Sequence, residues 1–92
     1  MIFEWDAAKA KANLRKHGVS FEEAMTVFGD HLGRIANDPR HSADEDRFVL
    51  LGFSRRQRLL AVMCADRSEA IRIISARRAT RQERRDYEEK AH

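Results

Sequence analysis

Hydrophobic residues in the second half of the chain come in three short runs, FVLLGF, LLAVMCA and AIRIISA. Each run has the length of a β-strand, and the polar segments SRRQ and DRSE between them have the length of tight turns. This pattern predicts an antiparallel β-meander. Because the runs are apolar at nearly every position, we expect one face of the sheet to pack under helices. The other face needs cover from the last helix or from a partner protein.

The amino-terminal part of the chain shows the signals of a short strand followed by a helix. The residues MIFEW alternate in character and predict a short strand. Asp6 is placed to cap the helix that follows, and Gly18 supplies the left-handed residue at which helices commonly end. We therefore expect a first helix from Ala7 to His17.

A second helix is predicted by a capping box, in which Ser20 is followed three residues later by Glu23. It should run through FEEAMTVF and end at Gly29. The predicted apolar face of this helix consists of Phe21, Ala24, Met25 and Phe28. The region from Asp30 to Asp46 has weaker signals, because LGRIA is compatible with a strand, Pro39 interrupts it, and HSADED is polar.

The carboxyl-terminal segment begins with a further capping box, formed by Thr80 and Glu83, which predicts a helix through RQERRDYEEK. This helix has almost no apolar stripe, so it is either weakly docked or bound by an outside partner. The predicted order is a short N-terminal strand, two helices, an antiparallel β-meander sheet and a short charged C-terminal helix. We expect an α+β fold with one sheet, in which residues 1–92 form a single domain.

The composition limits the classes of protein to which the chain can belong. With 92 residues, of which 36% are charged, we expect a small core inside a polar shell. The single cysteine, Cys64, can form no intramolecular disulfide, and no stretch approaches the roughly 18 apolar residues of a membrane span. We expect a cytoplasmic protein without a membrane partner.

Charge is distributed unevenly along the chain. Lys and Arg set against Asp and Glu give a net charge of −5 for residues 20–46 and +5 for residues 67–85. Five arginines lie between Arg77 and Arg85. Such a basic segment is typical of proteins that bind a polyanion such as nucleic acid. By charge count alone, however, a dispersed and solvated charged surface is the simpler interpretation.

Several blocks of the chain together resemble a known family. In order along the sequence they are FEWDAAK, NLRKHGVSFEEA, VFGD, EDRFVLLGFS and RIISARRATRQERRDYEE. They are similar to blocks of the BrnT-type ribonuclease toxins of bacterial type II toxin–antitoxin systems, which are related in fold to the RelE/ParE toxins. One position departs from the family pattern, since His31 stands where a proline is expected.

The resemblance implies a RelE-like fold and metal-independent RNA cleavage that inhibits translation, with no cofactor. It also implies a cognate BrnA-like ribbon-helix-helix antitoxin, with operator DNA bound only through the toxin–antitoxin complex. An alternative from another functional class is a non-catalytic module that binds nucleic acid or a partner and acts as a co-repressor with a small DNA-binding protein.

The arginines around the end of the last predicted strand are the candidates for binding a phosphate. Arg72 projects from one face of that strand, Arg77 leaves the same strand, and Arg81 lies in the first turn of the last helix, so these three can converge on one phosphate. Arg78 is a further candidate for binding RNA. Arg72 and Arg77 have no obvious acidic partner nearby in sequence, so a binding role and a structural role are about equally supported by the residues themselves.

Cleavage through the 2′-hydroxyl also needs groups that move protons. His17 and Lys16 are candidates, although a basic pair at the last turn of a helix also complements the helix dipole. Glu45 with Arg47 can be a base and its orienting partner, or an ion pair. Tyr87 can stack on a nucleotide base or pack the last helix, and packing is the simpler role. No metal site is expected, because the histidines lack paired ligand spacing.

Overall fold

The structure, a computed structural model, describes residues 1–37 and 46–90. The elements in these ranges are β1 (Phe3–Glu4), α1 (Ala7–His17), α2 (Phe21–Thr26), a 3-10 turn (Val27–Gly29), β2 (Arg34–Asn37), β3 (Asp46–Phe53), β4 (Leu59–Asp66), β5 (Ile71–Arg78) and α3 (Arg81–Lys90). The strands form one five-stranded sheet in the order β1-β5-β4-β3-β2. None of the helices described is long and apolar enough to cross a membrane.

The predicted α+β class and the antiparallel meander are confirmed. Strands β3, β4 and β5 pair antiparallel in sequence order, and β2, which contains part of LGRIA, pairs antiparallel with β3. The predicted amino-terminal strand is confirmed as the two-residue β1, which pairs parallel with β5. The sheet is therefore mixed, with β1 and β2 at its two edges.

The two residues that predict the ends of α1, Asp6 and Gly18, both cap the helix in the structure. The side chain of Asp6 accepts a hydrogen bond of 3.0 Å from the backbone N–H of Lys9. Gly18 has φ = 70°, and its N–H donates to the carbonyl oxygen of Leu14. The helix therefore has the predicted bounds, Ala7–His17.

The second helix is shorter than predicted. Its α-helical part ends at Thr26, and a 3-10 turn continues to Gly29. Because a 3-10 turn has about three residues per turn, Val27 follows Ala24 on the same side of the element. Val27 is fully buried, although it is absent from the predicted apolar face.

Only half of the capping box predicted for the second helix forms. The N–H of Glu23 donates to Ser20 Oγ over 3.0 Å, but the Glu23 carboxylate turns away from the helix end. It accepts 2.7 Å and 2.9 Å hydrogen bonds from Ser54 Oγ and Arg58 Nε, and Arg58 Nη2 donates to its other oxygen. Arg58 Nη2 also donates to the carbonyl oxygen of Gly18. This buried network fastens the turn between β3 and β4 to the helices.

Two apolar clusters lie on opposite faces of the sheet. The larger packs α1 and α2 onto the sheet and includes Val19, Phe21, Ala24, Val27, Leu50, Leu60, Val62, Cys64, Ile73 and Ala76. We call this the helical face. The smaller cluster consists of Leu51, Leu59, Ala61 and Tyr87, and Tyr87 belongs to α3. The last helix thus covers one part of the second face, which we call the α3 face.

Candidate functional site

An extra residue in β5 places two of the candidate arginines on the same side of the sheet. The pairing of β5 with β4 shifts between Met63 and Cys64, which leaves Ile74 without a partner on β4. In a regular strand, side chains alternate sides, so Arg72 and Arg77, which are an odd number of residues apart, would project from opposite faces. The bulge reverses this alternation and brings both onto the α3 face.

Arg47 lies on the α3 face beside Arg72. Arg47 pairs with Ala65 across β3 and β4, and Ala65 pairs with Arg72 across β4 and β5. Since neighbouring strands are separated by about 4.8 Å, the Cα atoms of the two arginines are roughly 10 Å apart. Ala65 between them is fully buried and adds only a methyl group. Arg47 and Arg72 are therefore separated by one small residue in the row of paired residues.

The third arginine of this face, Arg77, is one end of another row of paired residues. It pairs with Ala61, which pairs with Leu51, and Leu51 pairs with Arg34 on β2. Arg34 Nη1 donates a 3.3 Å hydrogen bond to the carbonyl oxygen of Asp86 in α3. Among the residues that the structure describes, the strands thus contribute four arginines to the α3 face. Helix α3 lies over the apolar residues between Arg77 and Arg34.

Arg72 and Arg77, for which the sequence shows no obvious acidic partner nearby, each contact a carboxylate in the structure. Arg72 Nη1 lies 3.0 Å from Glu4 Oε2, and Arg77 donates from Nη1 and Nη2 to the two carboxylate oxygens of Glu83 at 2.7 Å and 3.0 Å. The first pair has no sequence signal, because parallel pairing of β1 with β5 brings Glu4 beside Arg72. The second arises because the first turn of α3 directs Glu83 back towards the end of β5.

Glu83 also completes the predicted capping box of α3. Its N–H donates to Thr80 Oγ1 over 3.1 Å, and its Oε1 accepts from the N–H of Thr80 over 2.8 Å. The hydrogen bonds from Arg77 are the largest cause that lowers the pKa of Glu83, and those from Thr80 add to this effect. Glu83 is therefore a carboxylate held in its charged form between an arginine and a helix N-terminus.

The structure does not bring Lys16 and His17 to the arginines of the α3 face. They lie at the end of α1, on the helical face, where Asn13 donates from Nδ2 to the carbonyl oxygen of Ala76 and accepts from its N–H at 2.8 Å and 3.1 Å. Lys16 is exposed and His17 is half-buried. Arg78 pairs with a residue of the helical core and is likewise turned away from the α3 face.

The remaining candidates have different surroundings. Arg81 is exposed in the first turn of α3. Tyr87 is only 6% exposed, its hydroxyl donates to Asp30 Oδ2 over 2.8 Å, and its ring lies edge-on to Phe53 at 5.3 Å. Tyr87 thus packs α3 onto the sheet, and its ring has no exposed side for a nucleotide base. Glu45 lies outside the described residues.

The sequence and the fold of this chain are similar to those of known proteins. Residues 5–83 match the family described as "Ribonuclease toxin, BrnT, of type II toxin-antitoxin system". The fold is similar to that of the ribonuclease toxin BrnT from Brucella abortus, in its 1.1 Å crystal structure, with a TM-score of 0.65. That match has 24% sequence identity and covers 88% of this chain and 100% of the other. No curated protein matches the sequence. These findings do not favour the alternative of a non-catalytic module.

Proposed function

Because this chain belongs to the BrnT family of ribonuclease toxins of type II toxin–antitoxin systems, we propose that it cleaves RNA on the α3 face, beside Arg47, Arg72 and Arg77. The observation that supports this placement most directly is the bulge at Ile74, which turns Arg72 and Arg77 to the same side. A ribonuclease must stabilise the negative charge that develops on the phosphate in the transition state. Guanidinium groups suit this task because they stay charged and match the geometry of phosphate oxygens.

The charge of the α3 face supports the same placement. In the described ranges, the strands contribute four basic side chains and one acidic side chain to this face. These are Arg34, Arg47, Arg72, Arg77 and Glu4, with a net charge of +3. The Arg72–Glu4 contact is partly exposed, with side chains 30% and 42% accessible, and such pairs are worth only about 0–1 kcal/mol. An RNA phosphate can therefore replace Glu4 at Arg72 at low cost.

We assign the chemical step to attack of the ribose 2′-hydroxyl on the adjacent phosphorus, without a metal ion. The bond from phosphorus to the 5′-oxygen breaks, and the leaving 5′-oxygen takes a proton from water to become a hydroxyl. Arg47 and Arg72 hold the phosphate from its two sides, and Arg77 stabilises the added charge. For the base that removes the hydroxyl proton, Glu45 is our candidate, because it directly precedes β3 and lies two residues before Arg47 in the chain. Lys16 and His17 lie on the other side of the sheet.

Cleavage by purified protein in excess EDTA tests the proposal. We expect products with a cyclic 2′,3′-phosphate and a free 5′-hydroxyl, which are the ends that attack by the 2′-hydroxyl leaves. Arg72→Ala and Arg77→Ala should each lower the cleavage rate by about 100-fold, the usual effect of losing one donor to a developing charge. Arg15→Ala is the matched control, since it removes the same charge from an exposed position of α1.

Two results would contradict the proposal. Cleavage that EDTA abolishes in folded protein would overturn the metal-free chemistry. Equal losses in Arg15→Ala and Arg77→Ala would show that general positive charge matters and that the α3 face is not the site.

A type II toxin is paired with an antitoxin. We propose that the partner here is a BrnA-like ribbon-helix-helix protein, that operator DNA is bound only by the complex, and that the toxin acts in the cytoplasm as one domain of residues 1–92. Co-expression with the small reading frame beside the toxin gene should restore growth, and a gel shift of promoter DNA should need both proteins. A shift by the toxin alone would contradict this assignment.

A further inference from the structure

The guanidinium group of Arg77 is hydrogen-bonded along one edge, and along another edge its donors have no partner among the described residues. Its Nη1 and Nη2 donate to the two oxygens of Glu83 at 2.7 Å and 3.0 Å, and Nη1 also donates to the carbonyl oxygen of Arg78 at 3.3 Å. Glu83 thus contacts the two terminal nitrogens of the Arg77 guanidinium group, which lie farthest from the backbone. The second contact of Nη1 uses its remaining hydrogen.

An arginine side chain has five N–H donors in one plane. Glu83 and Arg78 use three of those of Arg77, which leaves the N–H of Nε and one N–H of Nη2. Within residues 1–37 and 46–90, these two donors have no hydrogen-bond partner. They are parallel and form the side edge of the guanidinium, which can bind two oxygens of one phosphate.

Arg58 is another arginine of this protein that pairs with a glutamate, and it uses a different edge of its guanidinium group. It directs the side edge, Nε and Nη2, at the buried carboxylate of Glu23, and Nη2 also binds the carbonyl oxygen of Gly18. Arg58 therefore donates to its glutamate from the Nε and Nη2 edge, which is the edge that Glu83 does not contact in Arg77. The two pairs therefore have different consequences, although both are arginine–glutamate contacts.

Glu83 is itself fixed in place. The N–H of Thr80 binds its Oε1 over 2.8 Å, and its backbone begins α3. The side chains of Arg77 and Glu83 are 32% and 27% accessible, so solvent screens their contact only in part. A flexible arginine attached to this carboxylate loses its freedom to rotate.

We propose that Glu83 is a positioning residue, whose carboxylate holds the plane of Arg77 so that the Nε and Nη2 edge faces the RNA phosphate. This inference rests on the proposed function, because it requires Arg77 to contact RNA. The alternative role is competition, in which Glu83 occupies Arg77 and the phosphate must displace it. The two roles predict opposite effects when the carboxylate is removed.

A double-mutant cycle of Arg77 and Glu83 tests the inference, with the rate of single-turnover RNA cleavage measured for each variant. Glu83→Ala should slow cleavage by about 10- to 100-fold, because the guanidinium is no longer pre-oriented. Glu83→Gln, which keeps an oxygen for Arg77 and for Thr80 but loses the charge, should give an intermediate rate. Glu88→Ala, which removes a carboxylate from an exposed position of α3, should leave the rate unchanged.

The cycle separates positioning from helix capping. In an Arg77→Ala background, Glu83→Ala should cause no further loss of cleavage, because Glu83 acts through Arg77. A further loss of similar size in that background would show that Glu83 only stabilises α3 and would overturn the inference. Circular dichroism of each variant checks the fold, and Glu83→Gln alone decides the question if Glu83→Ala does not fold.

Failure of the inference can be distinguished from failure of the proposed function. Full activity in Arg77→Ala would remove Arg77 from the site. If Arg77→Ala is inactive while Glu83→Ala cleaves as fast as the parent protein or faster, the site stands and the positioning role is wrong.

Discussion

Asp30 joins three parts of the chain through one side chain. Its Oδ2 accepts hydrogen bonds of 2.8 Å from both the N–H of Phe53 and the hydroxyl of Tyr87, and its Oδ1 accepts 2.9 Å from the N–H of Leu32. Burial raises the pKa of Asp30, but the three hydrogen bonds outweigh it and the pKa is lowered. The pKa of Tyr87 is raised to about 12 by burial and by Asp30, so the hydroxyl remains a donor at neutral pH.

Tyr87→Phe should destabilise the fold without removing any arginine of the α3 face. The lost hydrogen bond goes to a charged acceptor, so we expect a decrease of about 2 kcal/mol in the free energy of unfolding. For a chain of this size, that corresponds to a Tm lower by roughly 8–16 °C. Thermal denaturation followed by circular dichroism measures this change. An unchanged Tm, with Glu88→Gln as the surface control, would show that the contact with Asp30 does not stabilise the protein.

The carboxylate of Glu23 should make stability depend on pH. The hydrogen bonds from Arg58, followed by the one from Ser54, lower the pKa of Glu23 below its ordinary value of 4.5. This stabilisation is complete above pH 4.5 and is lost as the pH falls through the lower pKa of the folded state, because the unfolded chain binds the proton first.

Urea denaturation at a series of pH values tests this effect. The free energy of unfolding should decrease below pH 4.5 in the parent protein. In Glu23→Gln the decrease should be smaller, since the group that titrates is gone. An identical pH dependence in both proteins would assign the effect to other carboxylates.

At the scale of the elements, sequence signals succeed where they are local. The bounds of α1 could be predicted because Asp6 and Gly18 act within one turn of the helix, and the meander could be predicted from its apolar runs. The bulge at Ile74 could not, since it exists only in the pairing of β5 with β4. The partner of Arg72 was missed for the same reason, because Glu4 reaches it through a strand pairing that spans most of the chain. The arginines could thus be proposed from the sequence, but their faces and partners could not.

Two glycines provide a matched pair for the ends of helices. A Cβ at Gly18 or at Gly29 would meet no atom within 4 Å, but only Gly18 has a positive φ, of 70°. Gly18→Ala should therefore lower the free energy of unfolding by about 1–2 kcal/mol through backbone strain alone. Gly29→Ala should be neutral or slightly stabilising. Urea denaturation compares the two, and equal effects would show that the left-handed conformation does not explain the cost.

At the scale of the whole molecule, the two faces of the sheet differ in apolar cover and in charge. The helical face carries the larger apolar cluster, while the described strands place four arginines on the α3 face beside a smaller cluster. The chain has a formal charge of +3 at pH 7. A polyanion should therefore be drawn to the protein as a whole, and the α3 face should determine where it stays.

Binding of single-stranded RNA should weaken steeply with salt. Three arginine–phosphate contacts give a slope of log K against log salt of about −2, so affinity should fall roughly 20-fold between 50 and 200 mM. Fluorescence anisotropy with an RNA that lacks 2′-hydroxyls measures binding without cleavage. Arg47→Ala should reduce the slope by about 0.7, whereas Arg15→Ala should not change it. A slope near zero would contradict a phosphate-based interface.

The parallel pairing of β1 with β5 sets the point during synthesis at which the sheet can be completed. Glu4 leaves the ribosome early, but its partner in the sheet is Arg72, 68 residues later. At ordinary rates of translation, roughly 3–14 s pass between the synthesis of β1 and that of β5. A nascent chain that still lacks β5 has neither Arg72 nor Arg77, so with the site proposed above it should not cleave RNA before β5 has been made and has joined the sheet.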